Sequence, residues 1–272
     1  MERPVLMHTM SGSSQVWGVT VLFDKVYAVR YARSDVEEYN STTLKFTKSL
    51  RVSGLISPWD LTSSSKCNCL YVADRNNYRI HRVGLNGNVS TWSVGDWPVG
   101  ISVTHDADPH VLVTCYNDRQ LKEFTADGRL VQKIVLQENV LNPLHAIKLN
   151  ADQFVVSHGW DTDRLHQVCI VNAMGNVVRS YGRLPGSTST GRLKNPRHLA
   201  VDGEGNVIVA DYGNKRVLLL DEILNYVREL VSTRNGSSSL TPWRLYLDHT
   251  RGRLFVADYV NNDVLIFRVQ NV

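Results

Sequence analysis

What this chain lacks narrows the field before its contents are read. No apolar run approaches the roughly 18 residues that a membrane-spanning helix requires, so no helical span is expected. The opening Met1-Glu2-Arg3-Pro4 has neither the apolar core nor the small-residue cleavage site of a secretory leader, which makes a cytoplasmic location the expectation. Cysteine is sparse. Cys67 and Cys69 stand two apart on one predicted strand, with no second pair or histidine at zinc-finger spacing, and together with Cys115 and Cys169 they read as buried free thiols. Gly-x-Ser-x-Gly, His-Glu-x-x-His, Gly-x-x-x-x-Gly-Lys and Gly-x-Gly-x-x-Gly are all missing, so neither the hydrolases and metalloproteases nor the phosphate-binding folds they mark are indicated. Charge of one sign is scarce too. With 30 Lys and Arg against 26 Asp and Glu, the net charge of +4 falls short of a basic arm or stripe.

What the chain does contain is a repeat of about 45 residues, a period that means propeller blades or solenoid turns. One copy pairs Pro58-Trp59-Asp60-Leu61 with Leu70-Tyr71-Val72-Ala73-Asp74. Another pairs Pro196-Arg197-His198-Leu199 with Val207-Ile208-Val209-Ala210-Asp211, and a third Pro242-Trp243-Arg244-Leu245 with Leu254-Phe255-Val256-Ala257-Asp258. Weaker copies begin at Pro98 and Pro143, and a sixth keeps only its outline from Trp17 to Arg30. After Pro196, alternating β-branched residues and turn chemistry predict strands at 198–202, 207–211, 216–220 and 226–231.

Four strands per copy make a twisted sheet that cannot bury both faces alone, whereas sheets set around an axis can. The expected fold is therefore all-β, a six-bladed β-propeller of four-stranded antiparallel blades. The blades fall at residues 15–54, 55–96, 97–140, 141–194, 195–240 and 241–272, in a single domain. The last copy has residues for only three strands, while Pro4 to Met10 is a strand-like run without a blade. Placed as the outer strand of the last blade, residues 4–10 close the ring and leave it no orphan edge.

The pattern Val-Ala-Asp-x-x-Asn-x-Arg after a Pro-x-x-Leu entry, carried in full by Asp74 with Arg79 and Asp211 with Arg216, resembles the NHL-repeat family of six-bladed propellers. It is similar to the NHL domain of tripartite-motif proteins, although these 272 residues hold no counterpart of their RING, B-box and coiled-coil segments. That resemblance implies a top face that binds RNA or protein. A WD-repeat pattern fits less well, because Trp160-Asp161 does not recur, and no Gly-Gly pair marks a Kelch blade.

In a propeller the inner strand starts at the top face, and the loop from the second to the third strand emerges beside it, so two positions per copy converge there. Before the inner strand stand Trp17, Trp59 and Trp243, with Val99, Leu144 and Arg197 in the other copies. Three neighbouring indoles suit either an aromatic platform or a plug between blades. Next come Gly18, Asp60, Gly100, His145, His198 and Arg244, and the second strands end at Arg30, Asp74, Cys115, His158, Asp211 and Asp258. Arg33, Arg75 and Arg119, interleaved with Tyr31, Tyr116, Trp160, Tyr212 and Tyr259, add cations and rings of the kind that hold single-stranded RNA.

The candidate ligand-binding residues are thus Trp17, Arg30, Tyr31, Trp59, Asp60, Arg75, His145, His158, Arg197, His198, Tyr212, Trp243, Arg244 and Tyr259. They describe a non-enzymatic, monomeric recognition scaffold without cofactor or membrane contact, whose top face takes a protein or single-stranded RNA. The alternative is a metal-dependent propeller lyase or hydrolase in which His145, His158 and His198 ligate zinc and leave a fourth position open. A related propeller enzyme, the peptidyl-hydroxyglycine lyase, binds zinc through histidines directly after proline on alternate blades. Here they stand elsewhere, so that arrangement is not matched. Asp74 and Asp211 are expected to cap their own loops and to pair with Arg79 and Arg216, and the Gly-rich connection at 182–195 to be a spacer.

Overall fold

A computed structural model describes residues 4–160, 165–182, 193–232 and 240–269. Most of the 182–195 connection lies outside them. Strands form where alternation and turn chemistry place them. After Pro196 they run Pro196–Val201, Val207–Asp211, Arg216–Leu220 and Tyr226–Ser232. The Asp202 carboxylate closes the first turn by accepting the N–H groups of Glu204 (2.9 Å) and Asn206 (2.8 Å).

The described strands assemble into six four-stranded antiparallel sheets, the blades of a β-propeller. Blades 1 to 5 span residues 16–51, 58–93, 98–135, 143–182 and 196–232, each with its strands in sequence order. Blade 6 is composite. Pro242–Asp248, Arg253–Asp258 and Asp263–Arg268 are followed by Val5–Met10, which pairs antiparallel to the last of them with Met10 opposite Val264. The N-terminal strand closes the ring.

Arg30 straps this closure from the inside. It donates to Glu37 Oε2 (2.7 Å) in its own blade, and to the carbonyls of Ser14 (2.6 Å) and Asn262 (3.1 Å) on either side of the seam. Arg30 is buried, so its place is in the scaffold rather than on the top face.

Each pair of neighbouring blades encloses its own apolar cluster, so the core is a ring of six wedges. Between blades 2 and 3 it contains Tyr71, Ile80, Ile101, Val113 and Phe124, and between blades 5 and 6 Ile208, Leu219, Leu245, Val256 and Phe267. Each large aliphatic side chain so buried contributes about 1.5–3 kcal/mol.

The recurrent aspartates lock blades to the connections entering them. Asp74 accepts the N–H groups of Ile56 (3.0 Å) and Ser57 (2.8 Å), Asp211 that of Lys194 (2.8 Å), and Asp258 that of Thr241 (3.2 Å). This corrects the expected direction, since the carboxylate grips the chain ahead of the inner strand and not the backbone of its own loop. Asp211 does pair with Arg216 (2.8 Å), but Asp74 meets His81 (3.0 Å) while Arg79 points to Thr91. In blade 3, where Cys115 replaces the aspartate, the acid moves across the gap. Asp96 reaches back to Asn117 (2.7 Å) and to the N–H of Asp118 (2.9 Å).

Candidate functional site

The axial site begins with a backbone irregularity common to all blades. The register between inner and second strands shifts at Val16/Gly18, Pro58/Asp60, Pro98/Gly100, Pro143/His145, Pro196/Leu199 and Pro242/Arg244. Successive side chains of a regular strand point to opposite faces, and a bulge re-aims them. In each of blades 1, 2 and 6 the tryptophan at the shift rises into an apical cluster, and the residue after it turns to the axis beneath.

Trp17, Trp59, Val99 and Trp243 form that cluster. Trp17 lies 3.8 Å from Trp59 and 5.4 Å from Trp243 between ring centroids, and all three indoles are buried. They plug the top of the axial channel and do not form an open platform, because equivalent positions near a six-fold axis are close enough for three indoles to fill the space between them.

Immediately below, Arg244 and Asp60 form a buried ion pair on the axis, Nε to Oδ1 at 3.1 Å. Arg244 also donates to the carbonyls of Trp17 (3.1 Å), Trp59 (2.8 Å), Val99 (3.2 Å) and Trp243 (3.3 Å), tying together the inner strands of four blades. Asp60 accepts from the N–H groups of Leu61 (2.9 Å) and Ile101 (3.0 Å). Burial pushes its carboxyl up, but Arg244 and His198 outweigh burial and hold the pKa at about 2. Glycine in blades 1 and 3 lets the inner strand of the next blade come close. A Cβ on Gly18 would lie 2.6 Å from the Leu61 nitrogen, and one on Gly100 would lie 2.5 Å from the Leu144 oxygen.

His145 and His198 complete the layer, their rings stacked at 3.6 Å. Burial, then the neighbouring His198 and Arg244, push His145 well below the ordinary imidazole range, with Asp60 offsetting only part. Burial likewise lowers His198 against the pull of Asp60. Both are therefore neutral near pH 7. The two histidines face a cavity of about 490 Å³ that opens on the bottom face. Val19, Leu61, Ile101 and Leu245 line its walls, and Phe23, Lys66, His105 and Arg251 stand at its mouth. The axial channel is thus a blind chamber, sealed at the top and entered from below, whereas the sequence pointed to a funnel at the top.

Asp60, His145 and His198 lie close enough to hold a metal ion, all three ligand atoms within 4.8 Å of one another, and His158 is not one of the group. This replaces the expected trio of His145, His158 and His198. Spacing alone is not enough, however. The Leu245 N–H faces His198 Nδ1 at 3.3 Å, which calls for a lone pair on Nδ1 and so a proton on Nε2, the atom 3.4 Å from Asp60 Oδ2. Arg244 already neutralises Asp60. With its one carboxylate thus neutralised and the Nδ1 lone pair of His198 turned to the backbone, the group offers a cation little charge. A second group, Asp106, His110 and Glu123, is bridged by the Lys148 ammonium, 3.0 Å from Asp106 and 3.1 Å from Glu123, so a cation already stands there.

Above the plug runs an aromatic crown. Tyr31 stacks on Trp17 (5.5 Å), Trp97 approaches Tyr116 (6.2 Å), and Tyr116 meets Trp160 edge-on (6.0 Å). Tyr212 and Tyr259 pack on Trp243 at 5.3 and 4.5 Å, and Tyr259 returns to Trp17 at 6.3 Å. Two arginines fill the gaps. Arg197 lies over Trp160 (3.6 Å) and Trp243 (4.3 Å), and Arg75 over Trp97 (3.9 Å) and Trp59 (4.3 Å). Tyr31 is exposed, the other tyrosines, Trp97, Trp160 and Arg75 are half-buried, and Arg197 is buried. Sequence reasoning missed Trp97 and the axial role of Asp60 with Arg244. The axial placement of Asp60 and Arg244 follows from the bulge, whose only sequence signal is the proline opening five of the six inner strands.

No protein-family model matches this chain, and no match to a curated protein was found. The NHL resemblance therefore has no further support. Solved structures are similar in shape. Hydrazine synthase from Kuenenia stuttgartiensis aligns with TM-score 0.68 at 15% identity, over 97% of this chain and 98% of that one. A streptogramin B lyase structure gives 0.66 at 13%, over 98% of each chain, and the WD40 β-propeller domain of Doa1 gives 0.65 at 13%, over 98% and 97%. These likenesses show the propeller fold alone. Among the described residues no helix is long and apolar enough to cross a membrane.

Proposed function

We propose that the chain is a recognition scaffold whose aromatic crown docks a macromolecular partner, and that this partner is a protein. The observation that carries this reading is the belt of half-buried rings over a sealed axis. A closed fold gains nothing from leaving Trp97, Tyr116, Trp160, Tyr212 and Tyr259 at the surface, and rigid aromatic side chains are the residues that anchor interfaces at low entropic cost. Against RNA stands the use of the cations. Arg30 and Arg244 are buried in hydrogen-bond networks and Arg197 is packed among aromatic rings, while Arg33 is paired with Asp35 at 2.8 Å. Few are left to follow a phosphate backbone.

The test is binding of the purified chain to two pools, a random displayed-peptide library and a random single-stranded RNA pool, each across a salt series. Selected peptides that bind with weak salt dependence, and are lost in a Tyr31→Ala, Tyr259→Ala double variant, are the expected result. Tight RNA binding with a steep salt slope and no peptide selection would overturn it.

A further inference from the structure

The crown contains one residue out of register with its neighbours. The position after the second strand holds Tyr31, Tyr116, Tyr212 and Tyr259 in blades 1, 3, 5 and 6, and blade 4 reaches the same belt with Trp160. Blade 2 alone places a cation there, Arg75. Packing does not ask for it, since a tyrosine serves the same place elsewhere in the ring.

Arg75 also differs from the arginines that the fold pairs with acids. Arg30, Arg33, Arg216, Arg244 and Arg253 each face a carboxylate within 3.1 Å. The Arg75 side chain makes no hydrogen bond or ion pair among the described residues, and its Nε is buried without a partner. Its guanidinium lies against two indoles, and burial lowers its pKa, with only Tyr116 and Tyr78 and no carboxylate working against the loss. A guanidinium carries five N–H donors in a planar fork and stays charged throughout the physiological range. Rings can cover its faces but cannot accept those hydrogens, so an acceptor has to reach the in-plane edge. A carboxylate fits that edge with two parallel bonds.

We propose that Arg75 is a carboxylate receptor, and that the partner docked on the crown is an acidic protein segment. An Asp, Glu or C-terminal carboxylate takes paired hydrogen bonds from Arg75, and flanking side chains lie on Trp97 and Tyr116. This rests on the protein-partner reading above. Of the two arginines between indoles Arg197 is buried and Arg75 only half-buried, and one reachable cation suits one carboxylate, whereas a nucleic acid strand needs a row of cations along its path.

The experiment starts from peptides selected on the wild-type chain. Asp and Glu should be enriched at one position. Changing that acid to its amide should weaken binding about 10- to 100-fold, as expected for loss of a charge-assisted pair. Arg75→Gln should weaken the acidic peptide equally and leave the amide peptide unaffected. Arg75→Tyr, which restores the residue of the other blades and keeps the crown filled, should do the same, and Arg75→Lys should recover only part because it lacks the fork. Crown-binding peptides without acid enrichment, or equal affinity in Arg75→Gln and Arg75→Tyr, would overturn the carboxylate assignment and leave the protein reading standing. Failure to select any peptide, with RNA bound instead, would overturn both.

Discussion

Arg244→Met is the most informative perturbation of the axial site. The substitution keeps an apolar stem but removes the cation from a pair in which Arg244 is 3% and Asp60 1% exposed. Asp60 keeps its N–H donors from Leu61 and Ile101, but its charge is left unneutralised, and the carbonyls of Trp17, Trp59 and Val99 lose a charged donor. Breaking a buried pair from one side typically costs about 3–5 kcal/mol. Against the roughly 5–15 kcal/mol of a folded domain, that is a large fraction. Asp60→Asn should cost less, because Arg244 loses its counter-charge but keeps four carbonyl acceptors. The double variant Asp60→Asn with Arg244→Met should fall short of the summed single costs by about 2 kcal/mol, since no buried charge remains unpaired. Urea unfolding followed by far-UV circular dichroism and by tryptophan fluorescence would read both effects, the fluorescence reporting on the indole plug. A single variant within about 1 kcal/mol of wild type, or strict additivity in the double, would refute the claim that this pair holds the inner strands together.

The same layer sets an acid limit. His145 and His198 are held neutral in the fold, so the unfolded chain takes up more protons once pH falls below about 6.5, and stability should decline from there toward acid. Asp60 works at lower pH, because its contribution is complete above the ordinary carboxylate value and is lost as pH falls through about 2. Urea midpoints between pH 8 and 4 should show the histidine stage, flattened in His145→Asn; an unchanged slope would rule out the buried neutral histidine. Asp211→Asn removes the charged acceptor of the Lys194 N–H and of Arg216, and should cost about 1–3 kcal/mol with no effect on crown binding. Deleting residues 1–10 exposes the edge of Asp263–Arg268 and should lower the melting temperature and produce concentration-dependent association in size-exclusion chromatography. After equilibration with Zn²⁺ and dialysis, no stoichiometric metal should remain. Retention that disappears in His145→Ala would overturn the reading that Arg244 takes the place of a metal ion beside Asp60.

Much of the architecture was legible in the sequence because it is periodic. The Pro-x-x-Leu entries, the alternating Val-Ala-Asp strands and the short-changed last copy point to six four-stranded blades and to closure by Val5–Met10. Strand periodicity acts over neighbouring residues, so a single chain displays it. The sequence also brought Trp17, Trp59 and Trp243 to one place, and His145 near His198.

What those residues do there was decided only by the tertiary structure. Whether three indoles make a platform or a plug depends on the radius at which the inner strands meet, and whether Arg30 and Arg244 face a ligand or the fold depends on carbonyls contributed by distant blades. The opening of the axial chamber at the bottom follows from bulges that aim one side chain up and the next inward, a dihedral event with no residue code beyond the proline before it. Charge pairing is non-local in the same way. Asp60 finds Arg244 from 184 positions away along the chain, and Arg75 finds no carboxylate at all among the described residues, facts that belong to the closed ring and not to any stretch of its sequence.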